Sequence, residues 1–155
     1  MSVEYISKSL EDTEKLALKL SEKLSSGDVI LFFGGLGAGK TTFTKSLAKG
    51  LGVKDYIHSP TFTLVHEHKG NLPLYHIDLY RLETQDEIQN IGFEDYIYSE
   101  GVTLVEWSEK VRGNLPKGYI RIDIETLGDF ERKFILSSDM EIYDNMLKEV
   151  VHCIS

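Results

Sequence analysis

The chain has 155 residues, 41% apolar and 27% charged, which fits one globular domain and excludes a disordered or collagen-like protein. Its 17 basic and 25 acidic side chains give a net charge of −8, a poor balance for gripping nucleic acid directly, because phosphate binding is driven by Lys and Arg. No apolar run approaches the roughly 20 residues of a membrane span, no basic start followed by an apolar stretch marks a signal peptide, and the lone Cys153 fits a reducing cytoplasm.

Ser9-Leu10-Glu11-Asp12 reads as a capping box that opens a helix, with Leu16, Ala17, Leu20 and Leu24 on one apolar face and Gly27 just past its end. Val29 to Phe33 is apolar without alternation, the pattern of a central strand covered on both faces. A second helix begins near Thr41, with Phe43, Leu47 and Leu51 inward, Lys45 and Lys49 in solvent, and Gly52 at its close. Phe62 to His68 and Pro73 to Leu79 read as a hairpin around Lys69-Gly70-Asn71, followed by a short helix through Thr84 to Asn90. Val102 to Val105 is another buried strand, and Tyr119 to Glu125 and Phe130 to Leu136 alternate around the turn Leu127-Gly128-Asp129. Ile142, Met146, Leu147, Val150, Val151 and Ile154 recur at helical spacing in the tail. Residues 1–137 are therefore expected to form one domain, with 138–155 a helical tail and not a second domain.

The chemistry begins at Gly34-Gly35-Leu36-Gly37-Ala38-Gly39-Lys40-Thr41, which matches the phosphate-binding pattern G-x-x-x-x-G-K-[ST] between a buried strand and an amphipathic helix. Glycines let successive backbone N–H groups turn toward phosphate oxygens, and the following helix adds its positive end. Lys40 then reaches the outer phosphates, and the Thr41 hydroxyl suits Mg²⁺, a hard cation that takes oxygen ligands. Such a site needs acids at the carboxyl ends of neighbouring strands, where open α/β sheets bind ligands. Glu106, after Val102-Thr103-Leu104-Val105, and Asp78, after Leu74-Tyr75-His76-Ile77, meet that need. Ser59-Pro60-Thr61 stands where a nucleotide-sensing loop would lie, or is a plain Pro turn. His58, His66, His68, His76 and His152 form no zinc pattern, since no Cys pair accompanies them. No N-K-x-D segment occurs, so the guanine-reading signature is missing and ATP is the expected nucleotide.

Four segments in order resemble the TsaE family, also called YjeE: Gly34 through Thr42-Phe43, then Ser59-Pro60-Thr61-Phe62-Thr63-Leu64-Val65, then His76-Ile77-Asp78-Leu79-Tyr80-Arg81-Leu82, then Leu104-Val105-Glu106-Trp107. The likeness spans Ser9 to about Leu136. It implies a P-loop fold, weak ATP hydrolysis, and partnership with the TsaB and TsaD proteins, which transfer a threonylcarbamoyl group to the adenosine beside a tRNA anticodon. In that family the ATPase is thought to recycle the transferase. The resemblance further implies that Lys40 grips phosphate, that Thr41 and Glu106 hold Mg²⁺, that Asp78 is an essential acid near the γ-phosphate, and that Trp107 lies beside the site. The nucleotide-binding set is then Gly34, Gly35, Leu36, Gly37, Ala38, Gly39, Lys40, Thr41, Thr42 and Trp107. Members usually carry an acid where this chain has Gly35, a departure that leaves the backbone cradle intact and removes one possible water-positioning group.

The expected architecture is a three-layer α/β P-loop fold, its sheet mostly parallel in the centre with antiparallel hairpins. The expected activity is Mg²⁺-dependent ATP hydrolysis, with Lys40 and Mg²⁺ on developing charge and Asp78 or Glu106 orienting water. Arg81 and Arg132 are candidates for a charge-stabilising arginine, or form solvent-facing salt bridges. Two other readings stay open: a small-molecule kinase, against which the acidic, Arg-free stretch Thr84 to Asp95 counts, and a nucleotide-gated binding module. Ser9-Leu10 could approach the base or simply cap a helix. Any tRNA is expected to be reached only through TsaB and TsaD, with no membrane contact.

Overall fold

The protein's computed structural model describes residues 2–34, 39–54, 65–108 and 118–155. The elements run β1 (Ser2–Ser7), α1 (Leu10–Lys23), β2 (Val29–Phe33), α2 (Lys40–Gly50), β3 (Val65–His68), β4 (Leu74–Asp78), α3 (Gln85–Asn90), α4 (Phe93–Ile97), β5 (Val102–Glu106), β6 (Tyr119–Thr126), β7 (Arg132–Ser138) and α5 (Glu141–Ile154). One seven-stranded sheet has the order β1-β7-β6-β2-β5-β4-β3. Its centre, β6-β2-β5-β4, is parallel. β3 on one flank and β7 and β1 on the other are antiparallel additions. This is the mixed α/β architecture expected, with β2 at the middle of the sheet and buried as a continuous apolar run.

The sheet separates two cores, which makes the fold three-layered. On one face Leu16 and Leu20 of α1, Phe43 and Leu47 of α2 and Leu147 and Val150 of α5 pack on Ile30, Phe32, Leu104 and Phe134. Phe43 meets Phe32 edge-on at 5.2 Å and Phe134 at 5.8 Å, so α2 is seated by one aromatic cluster. On the other face Ile88 of α3 and Phe93 and Ile97 of α4 cover Leu31, Ile77 and Val105.

Helix ends follow the local chemistry. The Ser9 hydroxyl accepts from the Asp12 N–H at 3.2 Å, while the Asp12 carboxylate accepts from the Lys8 N–H at 2.9 Å. The capping box therefore forms with its return arm shifted back by one residue. α2 stops in a left-handed turn: Gly52, at φ +82°, donates to the Lys49 carbonyl and Val53 to the Ala48 carbonyl, the paired bonds of a glycine-closed helix.

Several expectations need correction. β1 and α4 were not anticipated. Phe130 precedes β7 and is 78% exposed, so the alternating strand starts at Arg132. Ile142 sits at helical spacing in α5 yet faces solvent, while Leu147 and Val150 are buried. Leu147 and Val150 of the tail lie in the main core. Phe62 to Leu64 of the expected first hairpin strand and Ser59-Pro60-Thr61 lie outside the described residues.

Candidate functional site

Parallel pairing puts the carboxyl ends of β2, β4 and β5 on one edge of the sheet. In the β4–β5 register Asp78 stands directly opposite Glu106, so the two strand-ending acids are neighbours. β2 runs into Gly34 on the same edge, and α2 starts at Lys40. Gly35, Leu36, Gly37 and Ala38 lie outside the described residues.

The start of α2 differs from that of the helices near it. α1 and α3 have Ser9 and Thr84 as side-chain caps and acids in their first turns. α2 has neither: its cap is Gly39 at φ +94°, with no side-chain hydrogen bond and no first-turn acid. A Cβ at Gly39 would meet nothing closer than 3.8 Å, so the backbone twist and not crowding calls for glycine. An uncapped N-terminus leaves N–H groups and positive dipole for an anionic ligand.

Lys40 is buried. Its ammonium donates to the Gly34 carbonyl at 3.1 Å and lies 4.3 Å from the centroid of the Trp107 ring. Trp107 has φ +62°, an unusual backbone for a bulky residue. That turn at the end of β5 carries the indole back over Lys40 and against the Tyr80 ring at 4.8 Å. Tyr80 in turn donates its N–H to the Asp78 carboxylate at 3.0 Å. Burial raises the Asp78 pKa above its ordinary value; the Tyr80 N–H opposes the rise, Glu106 adds to it, and His76 and Lys40 oppose it. Glu106 is 5% exposed and is met by His76, whose Nε2 lies 2.8 Å from Oε2.

These groups open on a cleft of about 380 Å³, within the size range of small-molecule sites. It is lined by Gly39, Lys40, Thr41 and Thr42 at the start of α2, by Asp78, Glu106 and Trp107 at the strand ends, and by Ser9, Leu10, Thr13, Asp129, Phe130 and Arg132, of which Leu10 and Phe130 are largely exposed at its mouth. Arg132 donates to the carbonyls of Gly128 at 2.8 Å and Glu131 at 2.9 Å, bracing its own hairpin. Among the described residues no group of three or more His, Cys, Asp or Glu could hold a metal. Every described residue of the expected site thus borders one cleft or, for Gly34, bonds a residue that does. Sequence reading missed the His76–Glu106 contact and the Asp129-Phe130 part of the lining. The H-x-D spacing was the signal for the first, since it puts His76 and Asp78 on one strand face.

Residues 7–134 match the family described as "Threonylcarbamoyl adenosine biosynthesis protein TsaE". The chain belongs to the TsaE family. Among TsaE relatives, the tRNA threonylcarbamoyladenosine biosynthesis protein TsaE of Bacillus subtilis is 40% identical over 141 residues, 90% of this chain and 88% of that protein. The Treponema pallidum protein of the same name is 39% identical over 132 residues, 85% of this chain and 98% of its own length. The crystal structure of Bacillus subtilis YdiB superposes with a TM-score of 0.84 at 33% identity, over 100% of this chain and 97% of that one. The superposition includes α5, so the tail that the TsaE sequence motifs leave out belongs to the shared fold. No described helix is long and apolar enough to cross a membrane.

Proposed function

We propose that this chain is an Mg²⁺-dependent ATP hydrolase that supports tRNA threonylcarbamoyladenosine formation in the cytoplasm by recycling the TsaB–TsaD transferase. The observation that carries the reading is the convergence of Lys40, Thr41, Asp78 and Glu106 on one cleft at the uncapped start of α2. The donor set fits the metal: the Thr41 hydroxyl and the Glu106 carboxylate offer oxygen to a hard cation. The lack of a three-ligand protein cage among the described residues suits an ion that keeps waters and borrows substrate phosphates. When bound, Mg²⁺ neutralises phosphate charge and orients the terminal group.

The chain's own residues divide the remaining work. Lys40 exchanges its contacts with Gly34 and Trp107 for phosphate oxygens. Thr41 and Glu106 would hold the metal. Asp78, whose carboxyl holds its proton to higher pH than an exposed one, is suited to orient and deprotonate water. Leu10 and Phe130, both largely exposed at the cleft mouth, offer apolar surface to the base. Membership of the family supports the pathway; TsaB and TsaD are the partners that the resemblance implies. Arg132, which braces a hairpin, does not favour a kinase.

The test is phosphate release from ATP, with and without TsaB and TsaD, alongside product analysis over a panel of small alcohols. ADP and inorganic phosphate should form slowly, and faster with the partners present. Efficient transfer to an added alcohol, or no ATP turnover under any condition, overturns the reading.

A further inference from the structure

A buried carboxylate is costly unless a donor meets it. For Glu106 that donor is His76, itself 2% exposed. An ionised carboxylate only accepts, so the Nε2–H donates to Oε2 across 2.8 Å. In the parallel register His76 stands opposite Leu104 and Asp78 opposite Glu106, which puts all four side chains on one face of the sheet. His76 therefore reaches diagonally to Glu106 from one step behind Asp78, on the side of the carboxylates away from the strand ends. Asp78 and Glu106 line the cleft and His76 does not. The other ring nitrogen, Nδ1, is buried and has no hydrogen-bond partner among the described residues, where the imidazole's polar contact is with Glu106.

We propose that His76 is a positioning residue for the metal side of the site. Its Nε2–H pins one oxygen of Glu106, and the other oxygen is thereby presented to the divalent cation of a bound nucleotide. The inference rests on the Mg²⁺–ATP reading above. Groups that hold a metal ligand from behind fix its orientation, and their loss typically weakens metal binding or activity about ten- to a hundredfold.

Trp107, the chain's one tryptophan, follows Glu106 and provides a readout independent of turnover. Its emission is followed as Mg²⁺ is titrated into wild type, His76→Leu and His76→Gln, each saturated with a non-hydrolysable ATP analogue. Analogue affinity is measured separately in chelator, and melting curves establish folding. The half-saturating Mg²⁺ should rise about tenfold or more in His76→Leu and stay within about threefold of wild type in His76→Gln, whose amide restores a donor. Affinity in chelator should be alike in all three. A folded His76→Leu with wild-type Mg²⁺ dependence overturns the inference, as does a folded His76→Gln as impaired as His76→Leu. If His76→Leu does not fold, His76→Asn, whose amide is too short to reach Glu106, takes its place with the same expectation. A wild type that binds the analogue with no response to Mg²⁺ overturns the Mg²⁺–ATP reading together with this inference; loss of the variant effect alone overturns only the inference.

Discussion

Lys40 holds a long cationic side chain in a buried position by two weak contacts, the Gly34 carbonyl and the Trp107 face. Neither contact is an ion pair, the Asp78 carboxylate acting on Lys40 only through space, so on the proposed reading phosphate is the better partner. Lys40→Ala should leave the protein folded, with a melting temperature within a few degrees of wild type, and reduce ATP turnover at least about a hundredfold, the scale of losing one charge-stabilising donor. Near-normal turnover in the folded variant sinks the phosphate role. Asp78 makes the opposite prediction for stability. Its carboxyl has a raised pKa, so the native state binds this proton more tightly than the unfolded chain does. Stability from this group is then lost as pH rises from its ordinary value of 3.8 through the raised one. In chelator and without nucleotide, Asp78→Asn should therefore gain melting temperature over wild type at pH 7, and the gain should shrink toward pH 4. ATP turnover should fall about a hundredfold or more if Asp78 acts on water. A difference independent of pH would assign the gain to something other than ionisation. These residues were legible because strand-then-glycine-then-lysine and apolar-run-then-acid are local patterns. The His76–Glu106 contact was not, since it depends on which strand neighbours which and in what register.

At the scale of elements, the same distinction separates what the sequence announces from what the fold decides. β2, α1 and α2 carry their periodicity and their stops within themselves. β1 does not: Val3 and Tyr5 point inward, but Ile6 is apolar and faces out, and its partner β7 lies at the far end of the chain. An edge strand of six residues is specified by that partner more than by its own alternation. α4 is five residues long, too short to show a period, although Phe93 and Ile97 stand one turn apart. The tail's attachment was likewise hidden, because one of its anchors is polar. Tyr143 of α5 donates to the Asp28 carboxylate at 2.5 Å, just before β2. Tyr143→Phe leaves that buried oxygen short of a donor and should cost about 1–2 kcal/mol, a shift of a few degrees. Burial, then the bond to Asp28, pushes the Tyr143 pKa up to about 12 from 10.0. The hydroxyl's contribution is whole below pH 10 and is lost as pH rises toward 12, so the gap between wild type and Tyr143→Phe should close across that window. A gap that persists at pH 12 contradicts the assignment. The β6–β7 hairpin is braced by Arg132 and presents Phe130 at the cleft mouth. Phe130→Ala should weaken ATP binding roughly fivefold, the low end of an aromatic contact, and leave binding of inorganic triphosphate unchanged. Equal loss for both ligands would place Phe130 near the phosphates instead of the base.

For the whole molecule, charge and the site's geometry together decide how a protein of −8 can serve RNA modification. Tight RNA binding releases condensed counterions in proportion to the phosphates neutralised, and a chain with 17 basic against 25 acidic residues has few cations to spare. The contribution to tRNA chemistry is then expected to pass through protein contacts that report nucleotide state. The residues placed to report it are Trp107 and Tyr80, stacked on each other, with Trp107 against Lys40 and Tyr80 bonded to Asp78. On the proposed reading, Lys40 moving to phosphate takes the cation from the Trp107 face, and the half-exposed Tyr80 stacked on that ring repacks toward a partner. Purified protein alone should retain no tRNA at micromolar concentration and about 0.15 M salt, where even non-specific binders reach only micromolar affinity or weaker. Capture by immobilised TsaB–TsaD should differ between an ATP analogue and ADP, and Tyr80→Ala should diminish that difference without changing ATP affinity more than about twofold, because Tyr80 lies outside the cleft lining. Tight tRNA binding by the isolated chain with a steep salt slope would show that a local basic surface outweighs the overall charge. Identical capture in both nucleotide states would show that the aromatic pair carries no signal.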